Sequence, residues 1–504
     1  GNYIELVANA GNLTGTSATF EGNTGAVASL AQNFAIEDKI VHKIDNGALG
    51  FVLVKANHDF VTINSFIAPA TTVASTQRGV DAASPGFTVN VNSGTYTNAL
   101  NINKELKVYG LNSGISPVTG VRLPEATLAT TSGTMVNVTT TDPVEIKGLR
   151  LANSGGPFHY SISGNVGTTI VMEKNFFDNS IGVYIPNAVS TTIVDNLCTF
   201  NSGADEGFAL FGNYNGSTGT HIDVHDNKWL NGQMTGMNLS SCEGFIYNNI
   251  FDNIAYYGIL VANQSNLNIY QNSFTGIDNP DLLVTTWGAG VRFYDDAPGA
   301  FVNIHNNTFD GNYIGVSVRS AYDFSGNTAN VYDNSFTNST FANIRNEGTG
   351  TLPAECNWFG VTGLGAISTT IYGSVDFNPW RVSGSDSDLG TLGFQPLATC
   401  TGTPVVIAID VVGPETCSGG TANGSITTIT SNGASPYTYS WSNATTNPGV
   451  TGLMGGTYTV VVTDANGSTA SASATVISLL VTNTTTNANF ATVQAAVNAA
   501  LPGE

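Results

Sequence analysis

Two groups of residues in this chain have types and spacings that could do chemistry, and both are small. Arg292 precedes Asp295 and Asp296, and a polysaccharide lyase uses such a basic side chain beside a calcium-binding carboxylate cluster. Since the chain has only 15 Lys and Arg residues, we interpret this group as a local ion pair on a loop. A glycoside hydrolase needs two facing carboxylates, and no second acidic cluster recurs at a matching position. The sequence therefore predicts no catalytic residues and a protein that is not an enzyme.

The second group is a short alternating run. His221, Asp223 and His225 alternate with Ile222 and Val224, and on a β-strand the three polar side chains would point to one face. Histidine and aspartate in that arrangement could bind zinc or calcium. No neighbouring segment supplies an obvious third strong ligand. We therefore favour a solvated outer face with no metal and no cofactor, and keep calcium as the alternative.

A longer pattern indicates which elements position these residues. Between residues 171 and 359, an apolar residue, two variable residues, asparagine, one variable residue and an aromatic residue recur. The asparagines of this pattern are Asn175, Asn227, Asn249, Asn272, Asn307, Asn334 and Asn357, and a weaker copy has Asn196 before Cys198. Their spacings run from 196 − 175 = 21 to 307 − 272 = 35 residues. Such a period is typical of one coil of a parallel β-solenoid, in which coils stack about 4.8 Å apart.

The solenoid gives each residue of the pattern a physical role. At the same turn of every coil, an asparagine amide can hydrogen-bond the equivalent amides above and below, and asparagine tolerates the left-handed backbone of a sharp corner. The aromatic residues would form a stack inside the coils. A β-sandwich with asparagine-rich turns is the alternative, but its strands would not keep one phase over eight copies. We therefore predict an all-β solenoid.

A third position of the pattern, two residues before each asparagine, holds rings in several copies. The residues there are Glu173, Val194, His225, Tyr247, Tyr270, His305, Tyr332 and Glu355. If the coils are in register, the five rings from His225 to Tyr332 form an outward column. Exposed aromatic rings can hold the faces of sugars, and tyrosine adds a hydroxyl group. The alternative is that the rings only pack across neighbouring strands, so ligand binding by this column is a hypothesis.

A second recurring unit predicts where a solenoid begins. The segment at residues 77–86 returns at residues 494–503, so that Gln77 and Gln494 are offset by 494 − 77 = 417 residues. Each copy has the pattern of a short amphipathic helix that covers the open end of a solenoid. We expect the chain to stop where a next unit starts and to be a mature or internal piece of something larger. A docking C-terminal helix is the alternative.

Composition excludes several classes of partner and fold. The formal net charge is −21, so nucleic acid and anionic membranes are poor partners, because both attract clustered Lys and Arg. Hydrophobic residues make up 41% of the chain and charged residues only 10%, which favours a folded core over a disordered acidic tail. The 57 glycines and 17 prolines favour many short strands and turns. No run of about 18 apolar residues occurs, so we predict no membrane span.

The cysteines give limited information. They are Cys198, Cys242, Cys356, Cys400 and Cys417. No CxxC motif occurs, which argues against a zinc ribbon or a thioredoxin-like site. Since five is an odd number, at least one thiol has no partner within the chain, and Cys400 with Cys417 is one candidate bridge.

Several motifs between residues 71 and 380 belong together. They are FTVNV at residues 87–91, NKELKVYG at 103–110, the asparagine-aromatic coils, and CNWFG at 356–360. Together they resemble the right-handed parallel β-helix of the pectin-lyase-like superfamily. The resemblance implies a right-handed β-helix but is weak on activity, because the superfamily holds lyases, hydrolases, adhesins and plain scaffolds.

Residues 400 to 478 have a different pattern, with PYTYSWS at 436–442, GGTYTVVV at 455–462 and DANG at 464–467. Alternating strands at short intervals, broken by Gly and Asn turns, indicate an Ig-like β-sandwich. The stretch resembles the SprB-type repeat of very large bacterial surface adhesins that the type IX secretion system exports. Members of that family often have a second cysteine where this chain has Ser468. The usual disulfide is therefore in doubt, and Cys400 becomes the alternative partner of Cys417.

These observations predict four parts of the chain. Residues 1–70 form N-terminal strands and a capping helix. Alternatively, these residues are the end of a preceding unit. Residues 71–395 form a right-handed parallel β-helix, 400–478 an Ig-like β-sandwich, and 479–504 a linker and the start of a next β-helix unit.

The predicted function is structural and adhesive. We expect an extracellular segment of a very large bacterial cell-surface filament or hook that attaches to surfaces or cells. Its partners would be other copies or segments of the same protein and target glycans, with no nucleic acid and no membrane insertion. The alternative is a secreted polysaccharide-active enzyme, a lyase or glycoside hydrolase, or a carbohydrate-binding module on a β-helix.

Overall fold

The computed structural model describes residues 2–8, 10–130, 133–153, 160–180, 182–200, 208–211, 219–232, 235–278, 288–294, 298–397, 400, 402–415, 422–478, 481–486, 488–490 and 493–500. The chain divides into two compact units. The first comprises Gly1–Ala354, Ile371–Asp376 and Asp386–Leu397, and the second Glu355–Thr370, Phe377–Ser385 and Ala398–Glu504. In the described part of the chain, no helix is long and apolar enough to cross a membrane.

Three long parallel sheets make up most of the first unit, and the chain visits them in turn, once per coil. The strands of sheet A are His58–Val61, Thr88–Val91, Leu106–Gly110, Val144–Lys147, Thr169–Glu173, Ser190–Val194, Thr220–His225, Cys242–Tyr247, Asn266–Tyr270, Phe301–His305 and Thr328–Tyr332. Those of sheet B are Gly94–Tyr96, Ala126–Thr130, Arg150–Asn153, Phe176–Ser180, Leu197–Phe200, Lys228–Leu230, Ile250–Asp252, Ser273–Thr275, Thr308–Asp310 and Ser335–Thr337. Those of sheet C are Leu100–Ile102, Val136–Val138, Ile162–Gly164, Val183–Pro186, Phe208–Phe211, Thr235–Ser240, Tyr257–Ala262, Ala289–Phe293, Ile314–Val318, Ala342–Asn346 and Ile371–Tyr372. Each strand pairs in parallel with the equivalent strand of the next coil, so this part of the chain is the predicted all-β solenoid.

Aromatic side chains from sheet B stack inside the coils. Trp229, Phe251, Phe274, Phe309 and Phe336 are fully buried. Successive ring centroids lie 4.6 to 4.9 Å apart, with ring planes within 9° of each other. The centroid spacing equals the coil spacing, because one ring is contributed by each coil.

Sheet C makes room for this stack with glycines. A Cβ atom at Gly258 would lie 2.7 Å from the ring of Phe274, and at Gly290 it would lie 2.6 Å from the ring of Phe309. Real Cβ atoms do not approach so closely, so the strand of sheet C can pass the rings only where the side chain is hydrogen.

The corner between sheets A and B holds a line of buried asparagines. The backbone N–H and the side-chain amide of each donate to Oδ1 of the next, at 2.9 to 3.2 Å, from Asn175 through Asn196, Asn227, Asn249, Asn272 and Asn307 to Asn334. Asn196, the weak copy of the sequence pattern, is a full member of this line. Asn357 is buried in the second unit.

The left-handed residue of each corner is not the asparagine, and this corrects one expectation. It is the residue before it: Lys174, Asp195, Asp226, Asn248, Gln271, Asn306 and Asp333 have φ between 53° and 59°. The backbone reverses at this position, and the buried asparagine that follows supplies, through its amide, hydrogen bonds that the corner backbone cannot make.

Short elements precede the coils. Parallel pairs join Ile4–Glu5 to Ile40–Val41 and Leu13–Thr14 to Val52–Leu53, and Thr19–Phe20 pairs antiparallel with Asn23–Thr24. Helix α1, Leu30–Glu37, begins with a capping box between Ser29 and Gln32. Helix α2, Thr76–Ala82, packs on the first coils, where a Cβ atom at Gly79 would lie 2.5 Å from the Val61 side chain. Strands Leu352–Pro353 and Val375–Asp376 also pair in this unit.

The second unit contains two antiparallel sheets. One has strands Val406–Gly413, Gly424–Ser431 and Val450–Leu453, and the other has Thr438–Trp441, Gly456–Thr463 and Thr469–Val476. Their buried side chains form one cluster that includes Trp441, Ile426 and Val460. The unit also holds helix α3, Leu364–Ser368, helix α4, Val493–Ala499, and a pair of short strands, Val481–Thr482 and Asn489–Phe490.

The disulfide differs from the bridge considered from the sequence. Cys356 bonds Cys400, with Cα atoms 5.2 Å apart, so Cys400 is not the partner of Cys417, which lies outside the described residues. The sequence offered Cys400 with Cys417 as one candidate bridge, whereas the fold brings Cys400 back to Cys356, in the segment after the last coils. Cys198 and Cys242 are buried free thiols.

Helix α4 repeats one contact of helix α2. Gln77 donates from Nε2 to Asp81 Oδ1 at 2.8 Å, and Gln494 donates from Nε2 to Asn498 Oδ1 at 2.7 Å. The position of Val80, which is buried in α2, is taken in α4 by the exposed Val497. Residues 501–503 of the repeated segment lie outside the described residues.

Candidate functional site

A cavity of about 580 Å³ lies over the corner between sheets A and B. Its lining residues are Ser116, Val118, Thr119, Lys174, Val194, Asp195, Asp226, Asn227, Asn248, Ile250, Gly390, Thr391 and Leu392. Four of them, Lys174, Asp195, Asp226 and Asn248, are the left-handed residues of four successive corners. The coils therefore present the left-handed residues of their corners, in order, to one cavity.

One side of the cavity is formed by the segment around Ser116. Its hydroxyl donates to Asp195 Oδ1 at 2.5 Å. Arg122, further along this segment, donates from Nη1 to the carbonyl oxygen of Lys174 at 2.8 Å and binds Glu125 through two nitrogens at 2.6 and 2.9 Å. These bonds attach a long excursion between two coil strands to the corner residues beneath it.

The other side is formed by residues 390–392, which are held by the residues that follow them. Gly393 has φ +86°, and a Cβ atom there would lie 2.2 Å from the Asn306 carbonyl oxygen. Phe394 is buried. Its backbone N–H donates to the Asn306 carbonyl oxygen at 2.8 Å, and the Asn306 side-chain amide donates to the Phe394 carbonyl oxygen at 3.0 Å. Position 393 requires glycine, because this segment lies directly on the corner of the coil.

Two carboxylates in the cavity occupy adjacent coils but different environments. The backbones at Asp195 and Asp226 are neighbours, since Asp195 N donates to the His225 carbonyl oxygen at 3.1 Å, and adjacent coils lie about 4.8 Å apart. Burial raises the pKa of Asp195, Ser116 and Lys174 oppose that rise, and the charge of Asp226 adds to it. Asp226 is about half exposed, and its Oδ2 lies 2.7 Å from His225 Nδ1. Such a pair can divide the roles of proton donor and anion.

Lys174 contributes no free cation to this cavity. Its Nζ contacts Glu173 Oε1 and lies 3.9 Å from Asp195 Oδ2. Glu173 in turn lies 2.8 Å from Lys147. The charge of the lysine is therefore compensated by neighbouring carboxylates, and the two aspartates determine the sign of the charge on the cavity lining.

The predicted ring column lies on the outer face of sheet A, starting beside this cavity. His225, Tyr247, Tyr270, His305 and Tyr332 are register partners. Successive centroids lie 4.7 to 5.2 Å apart with planes within 16°. Burial raises the pKa values of Tyr247, Tyr270 and Tyr332, so their phenols stay protonated and can donate hydrogen bonds at neutral pH.

The spacing of the column leaves no room for a sugar between two of its rings, and sugar binding by the column stays a prediction. At about 5 Å spacing each inner ring has a neighbour on both faces, and no sugar ring fits between two aromatic faces at that distance. What the column offers is ring edges. A ligand would therefore meet hydroxyl and imidazole groups and would not stack on the faces of Tyr247, Tyr270 or His305.

A second polar column was missed in the sequence. Asn303 donates to Asn268 Oδ1 at 3.0 Å, and Asn330 donates to Asn303 Oδ1 at 2.9 Å. These residues lie two positions before the rings on the same strands, so they share the outer face of sheet A. The signal was present, because all three stand four residues before an asparagine of the repeat.

The two sequence candidates for chemistry are not brought together. His221 is exposed and faces Ser190 and Glu243 in neighbouring strands. Nowhere among the described residues do three His, Cys, Asp or Glu side chains gather to hold a metal ion, so His221, Asp223 and His225 share a strand without forming such a group.

Arg292 does not stand at a loop site. It is buried on sheet C, where Nη1 donates to Ser317 Oγ at 2.8 Å and the guanidinium lies 5.5 Å from the ring centroid of Tyr257. Asp295 and Asp296 lie outside the described residues.

Comparison with known proteins supports the fold. Residues 135–336 match the family described as the right handed beta helix region, which agrees with the predicted β-helix. Two solved structures are similar. One is the tailspike protein gp49 from Acinetobacter baumannii bacteriophage Fri1, a capsular polysaccharide depolymerase, with 12% identity over 78% of this chain and 73% of the other and a TM-score of 0.31. The other is the Acinetobacter phage vB_ApiP_P1 tailspike protein, with 11% identity over 81% and 79% of the chains and a TM-score of 0.24. No curated protein matches the chain.

The prediction that the chain is not an enzyme is wrong on this comparison. One of the two similar structures is titled a capsular polysaccharide depolymerase. The sequence reasoning looked for acidic clusters, and for a second cluster at the matching position of another coil. It overlooked single acids, Asp195 and Asp226, that successive coils place side by side.

Proposed function

We propose that this chain is an extracellular β-helix protein that binds a polysaccharide at the cavity beside the ring column and hydrolyses it there. The observation that carries the proposal is the pair of carboxylates, Asp195 and Asp226, on adjacent coils within one cavity of about 580 Å³. A volume of that size accommodates about two to three sugar units. The disulfide between Cys356 and Cys400 suits an oxidising, extracellular environment.

Asp195 is assigned the role of general acid. Burial raises its pKa, so it retains a proton to higher pH than an exposed aspartate would. Ser116 holds one carboxyl oxygen at 2.5 Å, which fixes the direction in which the other can reach a glycosidic oxygen. The protonated acid donates its proton to that oxygen as the bond from the oxygen to the anomeric carbon breaks.

Asp226 is assigned the role of nucleophile. It lines the cavity and is about half exposed, and His225 Nδ1 lies 2.7 Å from one of its oxygens. Its carboxylate attacks the anomeric carbon and forms a glycosyl ester while the leaving sugar departs as an alcohol. Asp195, now ionised, removes a proton from water, and the resulting hydroxide attacks the anomeric carbon, which releases the sugar and restores both acids.

Reducing-end release from a panel of bacterial and plant polysaccharides tests this proposal. The wild-type chain should release new reducing ends from at least one polymer, and D195N and D226N should be slower by at least about a hundredfold. Asp333→Asn is the matched control, since Asp333 occupies the same left-handed corner position in a coil outside the cavity. Unchanged rates in D195N and D226N, or products with a new carbon–carbon double bond, would contradict hydrolysis by this pair.

A second candidate function is adhesion, which the second unit favours. Its two antiparallel sheets around Trp441 suit the Ig-like sandwich of a SprB-type repeat, as residues 400–478 predict. In this proposal the chain is a segment of a large bacterial surface protein exported by type IX secretion, and its partners are other copies and surface glycans. Attachment of chain-coated beads to bacterial cells measures it; beads that attach no better than uncoated ones would exclude it.

A further inference from the structure

We infer that the sugar units taken by the cavity are uncharged and carry hydroxyl or acetamido groups, and that uronate or sulfated chains are rejected. This inference rests on the proposed function, because it names the class of polysaccharide that the same site binds. It follows from three features of the lining: the state of its cations, the position of its acids, and the neutral surface that continues from it.

The first feature is the absence of an available cation. Among the described lining residues, Lys174 is the sole Lys or Arg. Its Nζ contacts Glu173 and lies 3.9 Å from Asp195. An anionic sugar could recruit this lysine only by breaking an existing ion pair, which would leave Glu173 or Asp195 uncompensated.

The arginine that is bonded to the carbonyl oxygen of Lys174 is also occupied. Arg122 binds Glu125 through two nitrogens at 2.6 and 2.9 Å. Its Nη1 donates to the carbonyl oxygens of Ile115 and Lys174, at 3.0 and 2.8 Å. Its planar group is therefore used to hold the covering segment in place. A bidentate grip on a sugar carboxylate, the usual role of arginine in anion recognition, is not open to it.

The second feature is the acidic pair. Asp226, the ionised carboxylate of the proposed function, lines the cavity beside Asp195, so the carboxylate of a uronate bound there would lie within a few ångströms of the Asp226 charge. Like charges at that distance repel strongly where water is partly excluded. A neutral sugar avoids this repulsion and can donate a hydroxyl hydrogen bond to the Asp226 carboxylate.

The third feature is the surface next to the cavity. The ring column presents the phenol edges of Tyr247 and Tyr270, whose protonated state burial supports. The parallel column of Asn268, Asn303 and Asn330 presents amides. Phenols and amides hydrogen-bond hydroxyl and acetamido groups without a charge, so a longer chain leaving the cavity meets a neutral polar track.

Matched polymer pairs test this inference. The probes are dextran with carboxymethyl dextran, hydroxyethyl cellulose with carboxymethyl cellulose, and xylan with glucuronoxylan, each titrated against the intact chain at about 20 mM and about 200 mM salt. In every pair that is bound, the neutral polymer should bind at least tenfold more tightly at low salt. The difference should shrink at high salt, because screening weakens the repulsion.

Variants separate this inference from the proposed function. The double variant D195N/D226N should gain about tenfold in affinity for the carboxylated polymers, while D333N should leave the preference as it is. A wild-type chain that cleaves a carboxylated polymer, or binds it as tightly as its neutral partner, would overturn the inference alone. A chain that binds and cleaves none of the polymers would overturn the proposed function and this inference together.

Discussion

Removing one asparagine from the middle of the buried line should destabilise the β-helix far more than removing an asparagine from its outer face. The side chain of Asn249 has five polar contacts: Oδ1 accepts two hydrogen bonds from Asn227, at 3.0 Å each, and the two hydrogens of Nδ2 are shared among the carbonyl oxygens of Val224 and Tyr247 and Oδ1 of Asn272, at 2.8 to 3.0 Å. Asn249→Ala leaves the buried backbone N–H of Asn227 without this acceptor. An orphaned buried group costs about 1–3 kcal/mol, so we expect a total loss of about 2–4 kcal/mol.

The matched control is Asn330→Ala on the outer face of sheet A. That side chain donates one described hydrogen bond, to Asn303 at 2.9 Å, in a half-buried position, so its removal should cost about 1 kcal/mol or less. Urea unfolding followed by circular dichroism measures both variants. Hydrogen exchange at the Asn227 amide reports the local effect, because coils of a solenoid can open in part. Equal losses in the two variants, with the Asn227 amide still protected, would refute the role assigned to the line.

Three further predictions concern stability. Asp59 is buried, its carboxyl oxygens have no hydrogen-bond partner among the described residues, and burial raises its pKa to about 8. Since an unfolded aspartate ionises near 3.9, thermal stability should fall as the pH rises from about 4 to about 8. The D59N variant should show a flatter dependence of stability on pH, and an unchanged dependence would contradict this role of Asp59. Reducing the bridge between Cys356 and Cys400, which are 44 residues apart, should cost the second unit about 4 kcal/mol in calorimetry with and without reductant, and an identical transition would contradict this. Gly290→Ala forces a Cβ atom to within 2.6 Å of a stacked phenyl ring and should cost about 1–3 kcal/mol, while Gly47→Ala, with nothing within 4 Å, should be neutral in the same denaturation assay.

The repeat could be recognised in the sequence because the asparagine and the aromatic residue keep the same local spacing in successive coils. Asn249 with Phe251 and Asn272 with Phe274 specify both the corner and the inner stack. The same pair of residue types recurs in the neighbouring coils. Even the weak copy at Asn196 joins the line, since its neighbours determine where it lies. Consistency between local signal and global fold is what makes this part of the chain predictable.

The limits of the ring hypothesis could have been worked out from the same period. Rings in register at the coil spacing of about 4.8 Å must stack on one another. Their faces are then covered, as between Tyr247 and Tyr270 at 5.1 Å. The sequence predicts the column, and the spacing rule limits what the column can bind.

The cavity itself was beyond sequence reasoning. It depends on segments far apart in the chain, around Ser116 and at residues 390–392, that both lie on one corner of the coils. Nothing in their composition specifies that position. The disulfide was missed for the same reason, because Cys356 and Cys400 meet through the return of the chain after the last coils.

The anomeric configuration of the first product tests the central claim most directly. Carboxylates on adjacent coils, whose backbones lie about 4.8 Å apart, suit the roughly 5–5.5 Å separation of a retaining hydrolase. Proton NMR during the first turnovers on a cleaved polymer should therefore show the new reducing end with the configuration of the original linkage. An inverted product would require a separation of about 6.5–9.5 Å, and would contradict the assignment of Asp195 and Asp226 as acid and nucleophile.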